Sequence, residues 1–281
     1  MKTFKIIVLL TISIFSITLE AQNKSFDVKV EGKGEPILLF PGFTCTGDVW
    51  KDTVKELSKT NECHVFTFAG FGDVPAIEKP WLTKIKEGVN NYIAKNKLQK
   101  ATIVGHSMGG TLGLWLATDQ SSKFKKIIVV DALPSAGALM IPNFNSETIS
   151  YDNPYNQRVL DMDANSFEVM ASQMAGGMSL NKEKHALIKE WIIKADRKTY
   201  VYGYTDLLKL DLRTSIAKIS IPVVVLAATQ PYGENVVKKT YEEQYKNLKG
   251  YSIKYAKESA HFIMFDQPKW LLKAIHEELQ E

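Results

Sequence analysis

Ser107 stands in Gly105-His106-Ser107-Met108-Gly109, a G-x-S-x-G pattern. A serine hydroxyl is a weak nucleophile. It becomes useful when a base takes its proton, a third group orients that base, and N–H donors meet the developing oxyanion. The surroundings of Ser107 suit such a task. Ala101 to Val104 is an apolar run of strand length, and Leu112, Trp115, Leu116 and Ala117 recur at helical spacing after the motif. A strand entering a helix through a serine flanked by glycines makes a strained turn. Side chains at 105 and 109 would clash there, and the hydroxyl is pushed into open space.

The base must come from five histidines. His64 opens a strand at the amino end of the sheet, and His185 and His276 fall on helical stretches. His106 adjoins the serine, but a sharp turn directs it elsewhere. His261 follows the last predicted strand, so it shares the carboxyl edge with Ser107 and comes after it in chain order. The expected oxyanion donors are backbone N–H groups. One is that of Met108; the other is that of Phe43 in Phe40-Pro41-Gly42-Phe43, where Gly42 frees the backbone to approach.

These residues need a frame to hold them. Apolar runs of strand length occur at Phe26–Val30, Ile37–Phe40, Val65–Phe68, Ala101–Val104, Ile127–Val130, Val223–Ala227 and Tyr251–Tyr255. Helical stretches fall between them at 48–58, 83–95, 110–121 and 235–247, and a last one at 270–279; Thr83 is placed to cap the second. Alternating strands and helices predict an α/β fold, a mostly parallel sheet covered by helices on both faces. The alternation stops between Leu133 and Arg213, where helical spacing recurs at 167–175, 184–194 and 201–210. This segment, about 134–213, reads as an inserted helical cap within a single domain of residues 22–281. Met162, Met170, Met174 and Met178 lie in it and predict an adaptable apolar pocket, with Phe43, Trp50 and Phe71 adding aromatic surface near its mouth.

The chain resembles the α/β-hydrolase superfamily, in particular its capped, single-domain esterase-like and peroxidase-like members. The resemblance rests on Pro41-Gly42-Phe43 with Trp50, Gly70-Phe71-Gly72, Gly105 to Gly110, Asp131, Asp211-Leu212-Arg213, Ile221-Pro222, and His261 with Asp266-Gln267-Pro268. It implies an α/β-hydrolase fold and a Ser-His-acid triad. In most of that superfamily the acid follows the strand equivalent to Val223–Ala227. Here Gln230 stands about there, and a glutamine cannot stabilise an imidazolium. Some relatives carry the acid after the preceding strand, which points to Asp131; Asp196 and Glu234 are the alternatives, with a triad assisted by water or Gln230 beyond them.

Residues 1–21 read as a secretory signal peptide: Lys2 and Lys5 precede the apolar stretch Ile6 to Leu19, and Ala21 offers a small residue for cleavage. The stretch is shorter than a spanning helix needs, so the expected product is exported, periplasmic or secreted, without stable membrane insertion. A net charge of +4 with scattered lysines gives no nucleic-acid footprint. Cys45 and Cys63 fall at opposite ends of the parallel strands, separated by about 16 Å for a strand of about five residues, and are expected to be free thiols. No cofactor or metal is expected, the partner is a small-molecule substrate, and oligomeric state is left open. The favoured activity is hydrolysis of a carboxylic ester of a small, largely apolar substrate. A C–C or amide hydrolase, a peroxidase-like enzyme on the same triad, and a non-catalytic protein that binds a small ligand are the alternatives. Haloalkane dehalogenation is disfavoured by serine at 107.

Overall fold

Seven apolar runs pair into one sheet in the structure, a computed structural model that describes residues 24–280. The leader expected at 1–21 lies outside the described residues. The strands are β1 (Phe26–Glu31), β2 (Glu35–Phe40), β3 (Asn61–Phe68), β4 (Ala101–His106), β5 (Phe124–Val130), β6 (Val223–Ala228) and β7 (Tyr251–Ala256). They lie side by side as β1-β3-β2-β4-β5-β6-β7. Only β1 runs antiparallel, against β3; every other pair is parallel. Every residue of β4 and β6 is buried. Successive side chains of a strand point to opposite faces, so burial without alternation means both faces of the sheet are covered.

The covering helices are α1 (Lys51–Leu57), α2 (Trp81–Lys95), α3 (Met108–Gln120), α9 (Glu234–Tyr245) and α11 (Pro268–Gln280), with the short α10 (Ile263–Asp266) before the last. Between β5 and β6 the chain is helical: α4 (Ala136–Met140), α5 (Pro154–Leu160), α6 (Ala164–Met178), α7 (His185–Lys194) and α8 (Arg197–Lys209). The sequence signalled α6, α7 and α8 but not α4 or α5, which are too short to show a full apolar period.

One helix start differs from expectation. α2 begins at Trp81, not at a Thr83 cap, and Pro80 precedes it without a side-chain cap bond. The capping acceptor is remote in sequence: Asp206 Oδ2 on α8 accepts the Leu82 N–H at 3.0 Å. Trp81 is fully buried, with its indole N–H donated to the Ala69 carbonyl at 2.9 Å. Both cysteines are free and buried, and burial pushes the Cys45 thiol far above its usual range. Cys45 is therefore not a reactive thiolate.

Candidate active site

The turn from β4 to α3 forces Ser107 into the left-handed region, at φ 52° and ψ −125°. A Cβ on Gly105 would stand 2.4 Å from the Gly109 carbonyl oxygen, and one on Gly109 would stand 2.4 Å from the Phe40 carbonyl oxygen. Neither backbone atom can yield, so the spacing of the motif is steric. The Ser107 N–H donates to Val130 O at 2.9 Å, which ties the turn to β5. Met108 is the first residue of α3, and its N–H lies beyond the reach of any intrahelical acceptor. Among the described residues, neither that N–H nor the one of Phe43 has a protein acceptor.

One strand over, Asp131 repeats the device. It follows β5 at φ 47°, and its N–H donates to Leu226 O of β6 at 2.8 Å. Its Oδ2 lies 2.6 Å from His261 Nδ1. Its Oδ1 accepts the Ala228 N–H at 2.8 Å and the Tyr241 hydroxyl at 2.9 Å. The carboxylate is thus held by a base, a backbone amide and a phenol. Burial, reinforced by the Asp131 charge, pushes the Tyr241 hydroxyl well above its usual range, which keeps it a donor. A carboxylate accepts, so the proton of this bond sits on His261 Nδ1.

The loop after β7 that carries His261 is bonded on both sides. The Ala260 N–H donates to Asp266 Oδ2 at 2.8 Å, and the Phe262 N–H donates to Met178 O, at the end of α6, at 3.1 Å. Asp266 Oδ1 in turn accepts from the Ser179 hydroxyl at 2.6 Å and the Leu180 N–H at 3.0 Å. His106 closes the arrangement from below. It is fully buried, its Nε2–H donates to the His261 carbonyl at 3.0 Å, and its ring lies 4.7 Å from that of His261. Burial first, and the neighbouring His261 second, hold its imidazole well below its usual pKa, so it is neutral. The turn does direct His106 away from the serine, but toward His261. A contact across 155 positions of sequence leaves no local signal by which to find it.

The alternative acids are elsewhere. Asp196 caps α8, its Oδ1 accepting from the Thr199 N–H at 2.7 Å and the Thr199 hydroxyl at 2.8 Å. Glu234 is exposed at the start of α9, 3.7 Å from Lys257. Gln230 is exposed at the mouth, its N–H bound to Ser259 O at 2.9 Å.

Ser107, Asp131, His261, Phe43 and Met108 all line one cavity of about 760 Å³. Phe43 follows β2, Ser107 β4, Asp131 β5 and His261 β7, so four strands deliver the site at their carboxyl ends. Its walls are mostly aliphatic, aromatic and thioether side chains, and no lysine or arginine is among them. Met174 and Met178 face the cavity, whereas Met162 and Met170 pack against the core outside it. Trp50 and Phe71 are wholly buried rather than placed at the mouth, because their rings fill the core beneath the loop after β2. Among the described residues there is no cluster of three or more His, Cys, Asp or Glu able to hold a metal ion. No helix among them is long and apolar enough to cross a membrane.

A family model described as the alpha/beta hydrolase fold matches residues 35–268. The chain belongs to the alpha/beta hydrolase fold family. This α/β hydrolase is 23% identical over 256 residues to 3-oxoadipate enol-lactonase 1 of Acinetobacter baylyi, covering 88% of this chain and 90% of that one. It is 24% identical over 201 residues to the pimeloyl-[acyl-carrier protein] methyl ester esterase of Vibrio cholerae, covering 70% and 76% of the two chains. Among solved structures it superposes on the enol-lactonase of Burkholderia xenovorans with a TM-score of 0.77 at 16% identity, covering 91% of this chain and 96% of the other. The esterase of Exiguobacterium antarcticum gives 0.76 at 15% identity, again over 91% and 96%. The α/β hydrolase described here is an enzyme of the hydrolase class.

Proposed function

We propose that this hydrolase cleaves a carboxylic ester of a small, uncharged and largely apolar substrate. The lactonase and the methyl ester esterase, both relatives over most of the chain, support ester chemistry in general. One observation carries the finer reading: a carboxylate 2.6 Å from the Nδ1 of a histidine that shares its cavity with an elbow serine. Ser107 Oγ attacks the carbonyl carbon as its proton passes to His261 Nε2. Asp131 holds the resulting imidazolium through Nδ1. The carbonyl oxygen, now anionic, takes the N–H groups of Phe43 and Met108. Collapse expels the alcohol, which leaves with the proton from Nε2. Water, deprotonated by the same nitrogen, then cleaves the acyl-serine. The absence of lysine and arginine from the walls favours neutral substrates over carboxylates and phosphates.

Labelling by a fluorophosphonate probe, with turnover of p-nitrophenyl esters of short and medium chains, tests the reading. Wild type is expected to label and turn over, and Ser107→Ala to do neither. A folded wild type that does neither overturns it. Export rests on the sequence of residues 1–21 alone. It is tested by fractionating expressing cells and sequencing the mature N-terminus, expected to begin at Gln22.

A further inference from the structure

The cavity holds two hydroxyls with poor acceptors. Tyr200 and Tyr204 lie one turn apart on α8, and both face the cavity. Tyr200 donates to the Met174 sulfur at 3.3 Å, and Tyr204 to the Met140 sulfur at 3.2 Å. Both methionines line the same cavity. A thioether is a weak acceptor, and a methionine side chain repacks readily. Three other hydroxyls in the walls are committed to oxygen. Tyr241 donates to Asp131, Thr111 to Leu133 O at 2.9 Å, and Thr240 to Val236 O at 3.1 Å. The two tyrosines are also close to the chemistry. The Phe43 ring packs against both, 5.9 Å from Tyr200 and 5.5 Å from Tyr204, and the Phe43 N–H is the proposed oxyanion donor.

We propose that Tyr200 and Tyr204 form a specificity subsite that takes a second, uncharged oxygen of the substrate, such as an ether, ketone or further ester carbonyl. The proposal deepens the ester-hydrolase reading and rests on it. Each hydroxyl swings about its C–O bond from sulfur to the substrate oxygen, and the thioether is left with only weak contacts to lose. An anionic oxygen would meet no counter-charge in the walls, so the acceptor is neutral. Burial pushes the Tyr204 hydroxyl up to about 12 and raises that of Tyr200 as well, so both remain donors across the working pH range.

The test uses p-nitrophenyl hexanoate and its analogues with an ether oxygen in place of the methylene at acyl positions 3, 4 and 5, and hexyl acetate with ether oxygens at alkyl positions 3, 4 and 5. Together these probe the acyl and alcohol arms. Rates are normalised to alkaline hydrolysis of each ester. At least one oxa-ester is expected to exceed its parent in kcat/KM by about tenfold, as one gained hydrogen bond allows. Tyr200→Phe or Tyr204→Phe is expected to remove that preference, lowering kcat/KM of the oxa-ester by about tenfold more than that of its parent. Equal losses on parent and oxa-ester, or no preference in wild type, overturn the subsite. Equilibrium binding of the same esters to Ser107→Ala gives a readout independent of turnover. If wild type cleaves no ester, the catalytic reading fails, and the subsite is decided by that binding series alone. There a preference lost in the Phe variants supports it, and no preference overturns it.

Discussion

His106 Nε2 lies 3.0 Å from the carbonyl oxygen of His261, so the residue before the elbow serine anchors the loop of the proposed base. The same ring packs against the side chains of His261 and Phe262, 4.7 and 4.8 Å away. It is a positioning residue: it is fully buried and acts through the proposed base His261. His106→Phe keeps the packing but loses the donor, and is expected to lower kcat by about tenfold with KM little changed. His106→Gln restores an N–H near the Nε2 position and is expected to recover most of that loss. Steady-state kinetics on a p-nitrophenyl ester read both. Equal activity in the Phe and Gln variants would show that the bond does not matter.

The buried neutrality of His106 also makes stability depend on pH. Its folded pKa is depressed, first by burial and then by His261, whereas in the unfolded chain it titrates near its usual value of about 6.5. Below that pH the unfolded chain binds more protons than the folded one. Stability is therefore undiminished above about pH 6.5 and falls as pH drops from there toward the folded pKa, by at most about 1.4 kcal/mol per pH unit. Urea unfolding at several pH values between 7.5 and 5 should show a steeper decline for wild type than for His106→Gln. Parallel curves would contradict this account.

Asp131 is held by three donors, and the variants should rank accordingly. Asp131→Asn removes the charge and favours the wrong tautomer of His261, with an expected loss in kcat of about 10³–10⁴-fold. Tyr241→Phe removes one donor to Oδ1 and leaves the Ala228 N–H in place. Its expected loss is about three- to tenfold. Turnover of a p-nitrophenyl ester, compared with thermal melting of the same variants, separates lost chemistry from lost fold.

Asp196→Asn should separate a helix cap from a triad acid. Asparagine can still accept the Thr199 N–H, so the variant is expected to keep its activity and lose less than about 1 kcal/mol of stability. Activity falling by a hundredfold or more would return Asp196 to consideration as the acid.

The elbow glycine makes a stability prediction with an internal control. Gly109→Ala places a methyl group 2.4 Å from the Phe40 carbonyl oxygen and is expected to cost about 3 kcal/mol or to prevent folding. Gly176, on the same kind of secondary structure in α6, has nothing within 4 Å of an added Cβ. Gly176→Ala should stabilise by about 0.5–1 kcal/mol. Denaturant melts of the two proteins give the comparison directly.

The seven strands were legible because each is an apolar run bounded by turn residues, and the sheet buries most of them on both faces. Ser107 was legible because its glycines are a local steric requirement, and His261 because its place after the last strand follows from chain order. The bond from Asp131 to His261 was less so. Nothing next to residue 131 announces the Ala228 and Tyr241 donors, which come from β6 and α9 about a hundred positions later. For the same reason the cap of α2 was assigned to Thr83: Asp206 supplies it from across the chain. The tyrosine–methionine pairs on α8 join residues whose spacing in sequence resembles ordinary core packing.

The bonds from the His261 loop to Met178 O, and through Asp266 to Ser179 and Leu180, limit how substrate can enter. If the helices between β5 and β6 swung away as a lid, the end of α6 would pull on the loop that carries His261. Leu139 and Met140 of α4, Tyr232 before α9 and Val236 within it all combine exposed apolar surface with a place on the cavity wall. An apolar molecule entering between them would leave every one of those bonds to the His261 loop unbroken.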